Sequence, residues 1–184
     1  MKGNRSLLIL IGVAVVIIVG WWFIHRGGRG AAIDLLAHFD AAEKRPSADI
    51  FTVEDVTING DTKRSIAVAP SVGTRLKFRE KIPDDGWLRV NLGFKPDAWQ
   101  KAGDGIRFMV LASDGRAAEE LFKQDVNPFA TPTDRKWIPV MVDLSSYAGE
   151  EVELIFNTYA SPPGKVGDTN NDLAVWGAPE IVVR

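Results

Sequence analysis

Phe51-Thr52-Val53-Glu54-Asp55-Val56-Thr57-Ile58 runs directly into Asn59-Gly60-Asp61, and this stretch decides the fold class. Its apolar residues recur at a period near two, its β-branched content is high, and it stops at residues that favour turns. The same unit recurs along the chain. Candidate strands are 51–58, 65–69, 75–80, 87–94, 106–113, 119–126, 137–144, 152–158 and 173–183. Between them lie Pro83-Asp84-Asp85-Gly86, Gly103-Asp104-Gly105, Asp114-Gly115 and Tyr147-Ala148-Gly149-Glu150, all rich in residues that suit tight turns. Nine short strands with no helices interleaved predict an all-β, antiparallel sandwich of jelly-roll type.

Outward from this core, the N-terminal part reads differently. Leu7 to Ile24 is an uncharged apolar run of 18 residues, which as a helix spans about 27 Å, the thickness of a hydrocarbon core. It ends in Trp21, Trp22, Phe23, Ile24, His25 and Arg26 rather than in a small-residue cleavage site. Residues 1–26 are therefore expected to be an uncleaved transmembrane α-helix, with Trp21, Trp22 and Arg26 at the membrane interface. An intact-mass measurement on the mature protein should find Met1 to Arg29 retained; a chain starting near Gly27 would contradict the anchor. Gly12, Val16 and Gly20 share one face and form a candidate helix-packing surface. Lys2, Arg5 and the terminal amine outweigh Arg26 and Arg29, so the N-terminus is placed inside. The expected location is a bacterial cytoplasmic (inner) membrane, with the C-terminal domain periplasmic or extracytoplasmic.

Residues 27–30, Gly-Gly-Arg-Gly, read as a hinge, and residues 31–184 as the domain. Leu35, Leu36, Phe39 and Ala42 follow helical spacing, so a short amphipathic helix over 31–45 is expected to lead into the sandwich. Asp34 and His38 would then sit one turn apart and pair.

Charge and composition exclude several functions. Four of the 22 Lys and Arg residues precede Gly30, leaving 18 against 24 acidic residues, a net of −6 for the domain. Nucleic acid is thus not an expected partner, because its binding requires a basic surface. The chain has no cysteine, and its two histidines, His25 and His38, precede the strands. Thiolate catalysis, zinc-thiolate sites and a Ser-His-Asp triad within the strands are excluded.

Two stretches carry a family resemblance: Trp137-Ile138-Pro139-Val140-Met141-Val142-Asp143-Leu144-Ser145-Ser146-Tyr147-Ala148-Gly149, and Gly167-Asp168-Thr169-Asn170-Asn171-Asp172 continuing to Trp176-Gly177-Ala178-Pro179-Glu180-Ile181. They resemble galactose-binding-like, carbohydrate-binding-module-like jelly rolls of bacterial membrane and envelope proteins, and Gly103 to Phe108 is similar to such domains as well. The resemblance covers roughly Ile33 to Arg184 and implies the fold; it carries over no binding residue, because this fold serves sugar binding, protein binding and scaffolding alike.

Candidate sites follow from residue chemistry. Asp168, Asn170, Asn171 and Asp172 gather oxygen donors that suit calcium, although the loop lacks an EF-hand register and turn chemistry also accounts for it. No other cofactor is expected. Trp137 and Trp176 lie in apolar strands and read as core, whereas Trp99, within a charged run, and Trp87 are candidate partner or sugar contacts. Acidic pairs such as Glu119 with Asp143 could in principle serve glycoside hydrolysis, but nothing in sequence sets their separation.

The leading expectation is a non-catalytic, single-pass accessory subunit that docks on a larger membrane protein complex, of which electron-transport and photosynthetic assemblies are examples. Its partners would be the subunits of that complex and the lipid bilayer. The alternative is an extracytoplasmic carbohydrate-binding module of the cell envelope, with a glycan as partner.

Overall fold

The computed structural model describes residues 33–69, 71–160 and 169–184. Eleven strands occur in this part: β1 (Ile33–Asp34), β2 (Glu43–Arg45), β3 (Phe51–Ile58), β4 (Asp61–Val68), β5 (Gly73–Lys81), β6 (Gly86–Phe94), β7 (Ile106–Ser113), β8 (Ala118–Val126), β9 (Ile138–Asp143), β10 (Glu151–Ala160) and β11 (Ala174–Val183). All pairings are antiparallel. One sheet, A, has the order β3-β4-β11-β6-β9 with β1 on β11; the other, B, has the order β2-β5-β10-β7-β8. The all-β antiparallel sandwich is therefore present, and the nine expected strands match β3 to β11.

Turn chemistry explains the connections. Ile58 pairs with Asp61, so Asn59 and Gly60 alone make the β3–β4 turn, at φ 52° and 82°. Two positive φ values define the turn whose twist matches a hairpin, and Asn-Gly is the pair that adopts them most readily. Between Gly177 and Glu180 the register of β11 on β6 slips, with Ala178 at φ 44°. This bulge bends β11 and leaves the Pro179 carbonyl to accept the Leu35 N–H at 3.2 Å.

The inner faces of the two sheets form the core. Phe78, Phe156 and Phe108 come from sheet B, Trp176 and Phe94 from sheet A. They interlock edge to face: Trp176 lies 5.0 Å from Phe156 and 4.9 Å from Phe108, with interplanar angles of 82° and 84°. A smaller cluster of Val56, Ile58, Ala67 and Val175 lies under the indole of Trp137 on the opposite side of sheet A.

The leading segment corrects one expectation. Residues 33–45 form no α-helix; they form β1, a 3-10 turn over Phe39–Ala41, and β2. Leu35 is buried, and Leu36, Phe39 and Ala42 pack against the core, so their spacing reflects a strap laid along the sandwich. Local hydrogen bonds compete with the helix: Asp34 Oδ1 accepts the Leu36 N–H at 2.9 Å, while Lys44 Nζ donates to the Phe39 and Ala42 carbonyls. Ladder pairing to β11 and β5 holds the two ends, and bonds three residues apart, such as Ala37 N–H to the Asp34 carbonyl and Ala42 N–H to the Phe39 carbonyl, tie the turns between them. His38 consequently meets Glu80, Nδ1 to Oε1 at 2.6 Å, and not Asp34.

Among the described residues no helix is long and apolar enough to cross a membrane. The expected anchor 1–26, with Gly12, Val16, Gly20, Trp21, Trp22 and Arg26, and the hinge 27–30 lie outside the described residues.

Candidate functional site

Strand alternation decides what sheet B shows to its surroundings. β5 turns Arg75, Lys77, Arg79 and Lys81 outward, and β10 turns Glu153, Ile155, Asn157 and Tyr159 to the same side. β2 adds Glu43 and Arg45, directly opposite Lys77 and Arg75. β7 adds Arg107 and Met109, opposite Tyr159 and Asn157. The face divides into a saturated half and an open half.

In the saturated half, Lys77 Nζ reaches Glu43 Oε2 at 2.6 Å and Glu153 Oε2 at 3.2 Å, and Arg79 Nη2 reaches Glu153 Oε1 at 3.2 Å. The Lys77 hydrogen bond holds the Glu43 carboxyl below its ordinary range; hydrogen bonds from Arg79 and Lys77 do the same to Glu153, and Glu43 raises Lys77. Lys77, Arg79, Glu43 and Glu153 are already partnered, so this half offers little to a ligand.

The open half is a groove of about 440 Å³ lined by Arg45, Pro46, Gly73, Thr74, Arg75 and Tyr159. Tyr159 is 36% exposed, large for an aromatic ring on a sheet face. Its ring crosses Gly73: a Cβ there would sit 3.2 Å from Cδ1 and 3.3 Å from Cε1. Glycine thus allows the ring to lie close against the backbone. Asn157, only 2% exposed, donates from Nδ2 to the Tyr159 hydroxyl oxygen at 3.2 Å and fixes the ring's polar end. Arg107 is forked onto Asp125 at 2.6 and 2.7 Å, and Arg45 is held by Glu43. The result is an apolar ring face bordered by guanidinium donors, an arrangement that suits a ligand with one apolar face and many oxygens.

Ile33, where the described chain begins, enters at the other end of the sandwich. It pairs with Ile181, near Gly86 and the short β5–β6 connection, whereas Tyr159 and Gly73 lie at the far ends of β10 and β5.

The residues singled out from sequence are distributed otherwise. Trp176 and Trp137 are buried as expected, the latter donating from Nε1 to the Asp61 carbonyl at 3.0 Å. Trp99 is half-buried against both core clusters, with Nε1 committed to the Phe94 carbonyl at 3.1 Å. The charges beside it in sequence therefore do not place the whole ring in solvent. Trp87 is half-buried on the outer face of sheet A; the Arg184 guanidinium lies 4.1 Å from its ring centroid, and its buried Nε1 has no hydrogen-bond partner among the described residues. Neither tryptophan lines the Tyr159 groove.

Of the calcium quartet, Asp168 lies outside the described residues. Asn170 is exposed, Asn171 donates from Nδ2 to the Ala102 carbonyl at 2.9 Å, and Asp172 is buried. Among the described residues no three acidic or histidine side chains group closely enough to hold a metal ion. Glu119 and Asp143 lie on different sheets and have structural partners. Glu119 accepts a hydrogen bond from the Tyr147 hydroxyl at 2.6 Å, and burial followed by that bond pushes the phenol up to about 12. Asp143 accepts the Ser145 N–H at 2.8 Å, which holds its carboxyl below the usual range.

Tyr159, Arg75, Arg45 and Asn157 escaped sequence reading. A usable signal was present: Arg75, Lys77, Arg79 and Lys81 alternate within an acidic domain, and Asn157 and Tyr159 end an outward stripe.

No protein-family model matches the chain. An uncharacterized protein of Archaeoglobus fulgidus is 40% identical over 101 residues, which are 54% of this chain and 25% of that protein, so the chain spans about a quarter of the curated relative's length. Among solved structures, the M60 catalytic domain with the CBM51-1 and CBM51-2 domains of Clostridium perfringens ZmpB superposes with TM-score 0.53 at 15% identity, over 77% of this chain and 14% of that one. TmCBM61 in complex with β-1,4-galactotriose gives TM-score 0.53 at 7% identity, over 82% and 94% of the two chains. CBM51-2 in complex with GlcNAc, with the INT domains of the same ZmpB, gives 0.50 at 15% identity, over 77% and 27%. Identities this low speak for architecture alone, and the architecture is a β-sandwich like that of these carbohydrate-binding modules.

Proposed function

We infer that this chain is a non-catalytic glycan-binding module, held at the extracytoplasmic side of a cytoplasmic membrane by residues 1–26. The observation that carries this reading is the groove in which the Tyr159 ring crosses Gly73 between Arg45 and Arg75. A pyranose has one face of C–H groups and a rim of hydroxyls; the ring covers the former, and guanidinium and backbone groups serve the latter. The likeness to modules crystallised with galactotriose and GlcNAc supports the same reading. It favours glycan binding over docking on a membrane complex.

The test is glycan-array screening of the full-length protein in mild detergent, followed by titration of the best ligand. Tyr159→Ala is expected to weaken binding by about tenfold or more, because the aromatic contact and its buried area are lost together. Its melting temperature should fall only modestly: the ring is exposed at the sheet's end, while the buried Asn157 amide loses its bond to the hydroxyl. A folded parent that binds no glycan, yet co-purifies with a membrane complex, would replace this reading with the accessory-subunit one.

Asn171 takes φ 63° in the turn and its Nδ2 donates to the Ala102 carbonyl, so the calcium candidate loop has structural uses for its residues without a cation. Chelator is therefore expected to leave the melting temperature unchanged. A fall on chelation, reversed by calcium, would instead assign a structural cation to Asp168, Asn170, Asn171 and Asp172.

A further inference from the structure

The charges around the groove are more particular than neutral sugar binding requires. Beyond Gly30 the domain carries six more acidic than basic residues, yet β5 turns four cations outward in succession. Lys77, Arg79, Arg45 and Arg107 each meet a carboxylate. Arg75 and, at the far end of β5, Lys81 do not; among the described residues the Arg75 side chain makes no ion pair and no hydrogen bond, and it is exposed and lines the groove. It also stands directly opposite Arg45 across the β2–β5 ladder. Like charges in that position oppose each other and cost stability. On its other side it faces Asn157, whose buried Oδ1 has no hydrogen-bond partner among the described residues. An uncommitted guanidinium, a second one beside it and an aromatic ring thus share one groove.

We propose that the groove takes an acidic sugar, a uronic acid residue whose carboxylate seats on Arg75 with Arg45 alongside and whose pyranose face covers Tyr159. This rests on the glycan-binding reading and narrows it to a ligand class. A carboxylate matches the planar fork of arginine bidentately and relieves the repulsion between the two guanidiniums. A neutral sugar gives no reason to leave Arg75 unpaired beside Arg45, because its hydroxyls are served equally by uncharged donors.

The experiment is calorimetric titration of the full-length protein in mild detergent with trigalacturonate, its full methyl ester, neutral galactotriose and a sulfated galactan oligomer. The acid form is expected to bind about tenfold or more tightly than its ester at low salt, with the gap narrowing as salt rises. Arg75→Ala should remove the preference and Arg75→Lys restore part of it, with melting temperatures confirming that both variants fold. Equal, Tyr159-dependent binding of acid and ester would overturn the acidic-sugar assignment while leaving the glycan reading in place. Preference for the sulfated oligomer over trigalacturonate would overturn the carboxylate in particular. A folded protein that binds none of the four would overturn this proposal, and one that also binds nothing on the array would overturn the reading beneath it.

Discussion

Trp176→Ala is expected to destabilise the sandwich by about 3–5 kcal/mol, the range for removing a large aromatic from a packed core. Trp176 is 1% exposed and joins two rings of the facing sheet, Phe156 and Phe108, edge to face. Phe156 in turn meets Phe78 at 5.5 Å, and Phe108 meets Phe94 at 6.4 Å, so five rings bridge the two sheets in one chain of contacts. Removing the central ring opens a cavity and deletes two such pairs, each worth about 0.5–1.5 kcal/mol beyond buried area. A domain of this size has a total stability of about 5–15 kcal/mol, so the loss would consume a large part of it. Chemical denaturation reads the effect directly. Trp176→Phe keeps an aromatic ring and should cost clearly less; equal costs for the two variants would mean that the edge-to-face contacts are not what holds the sheets together.

That ring was legible in the sequence because it sits in an apolar strand, and so were the nine strands, whose alternation is local. β4 shows where local reading weakens. Its first half, Asp61-Thr62-Lys63-Arg64, is polar and mostly exposed, and it is a strand because the Asn59-Gly60 turn aligns it with β3. A turn thus recruits residues whose composition alone reads as loop. The leading segment misled for a related reason: Leu35, Leu36, Phe39 and Ala42 do face the core, but as a strap whose ends pair with β11 and β5 and whose middle is bonded in tight turns. The groove was the least legible feature, since Arg45, Arg75 and Tyr159 meet only through the order β2-β5-β10. Pairing between strands so far apart in sequence is set by tertiary packing, not by any signal within one strand.

The outer face of sheet A supplies the last expected result, a strong coupling between Gly177 and Trp137. The Trp137 indole lies across two glycines on adjacent strands: a Cβ on Gly177 would sit 2.7 Å from Cζ3, and one on Gly93 2.9 Å from the same atom. Neither glycine has a positive φ, so their role is close approach of the ring and not backbone freedom. The ring cannot easily step aside, because Nε1 is bonded to the Asp61 carbonyl and its face covers Val56, Ile58, Ala67 and Val175. Gly177→Ala is therefore expected to cost about 1–3 kcal/mol through overpacking, although alanine is otherwise the better strand residue. Trp137→Ala alone should cost about 3–5 kcal/mol by uncovering that cluster. In the double variant the clash has no partner, so the Gly177→Ala penalty should largely vanish, leaving a coupling of about 1–2 kcal/mol. Denaturation of the four proteins closes the cycle. Additive losses would show that the methyl group is accommodated elsewhere and that the indole does not depend on a bare backbone beneath it.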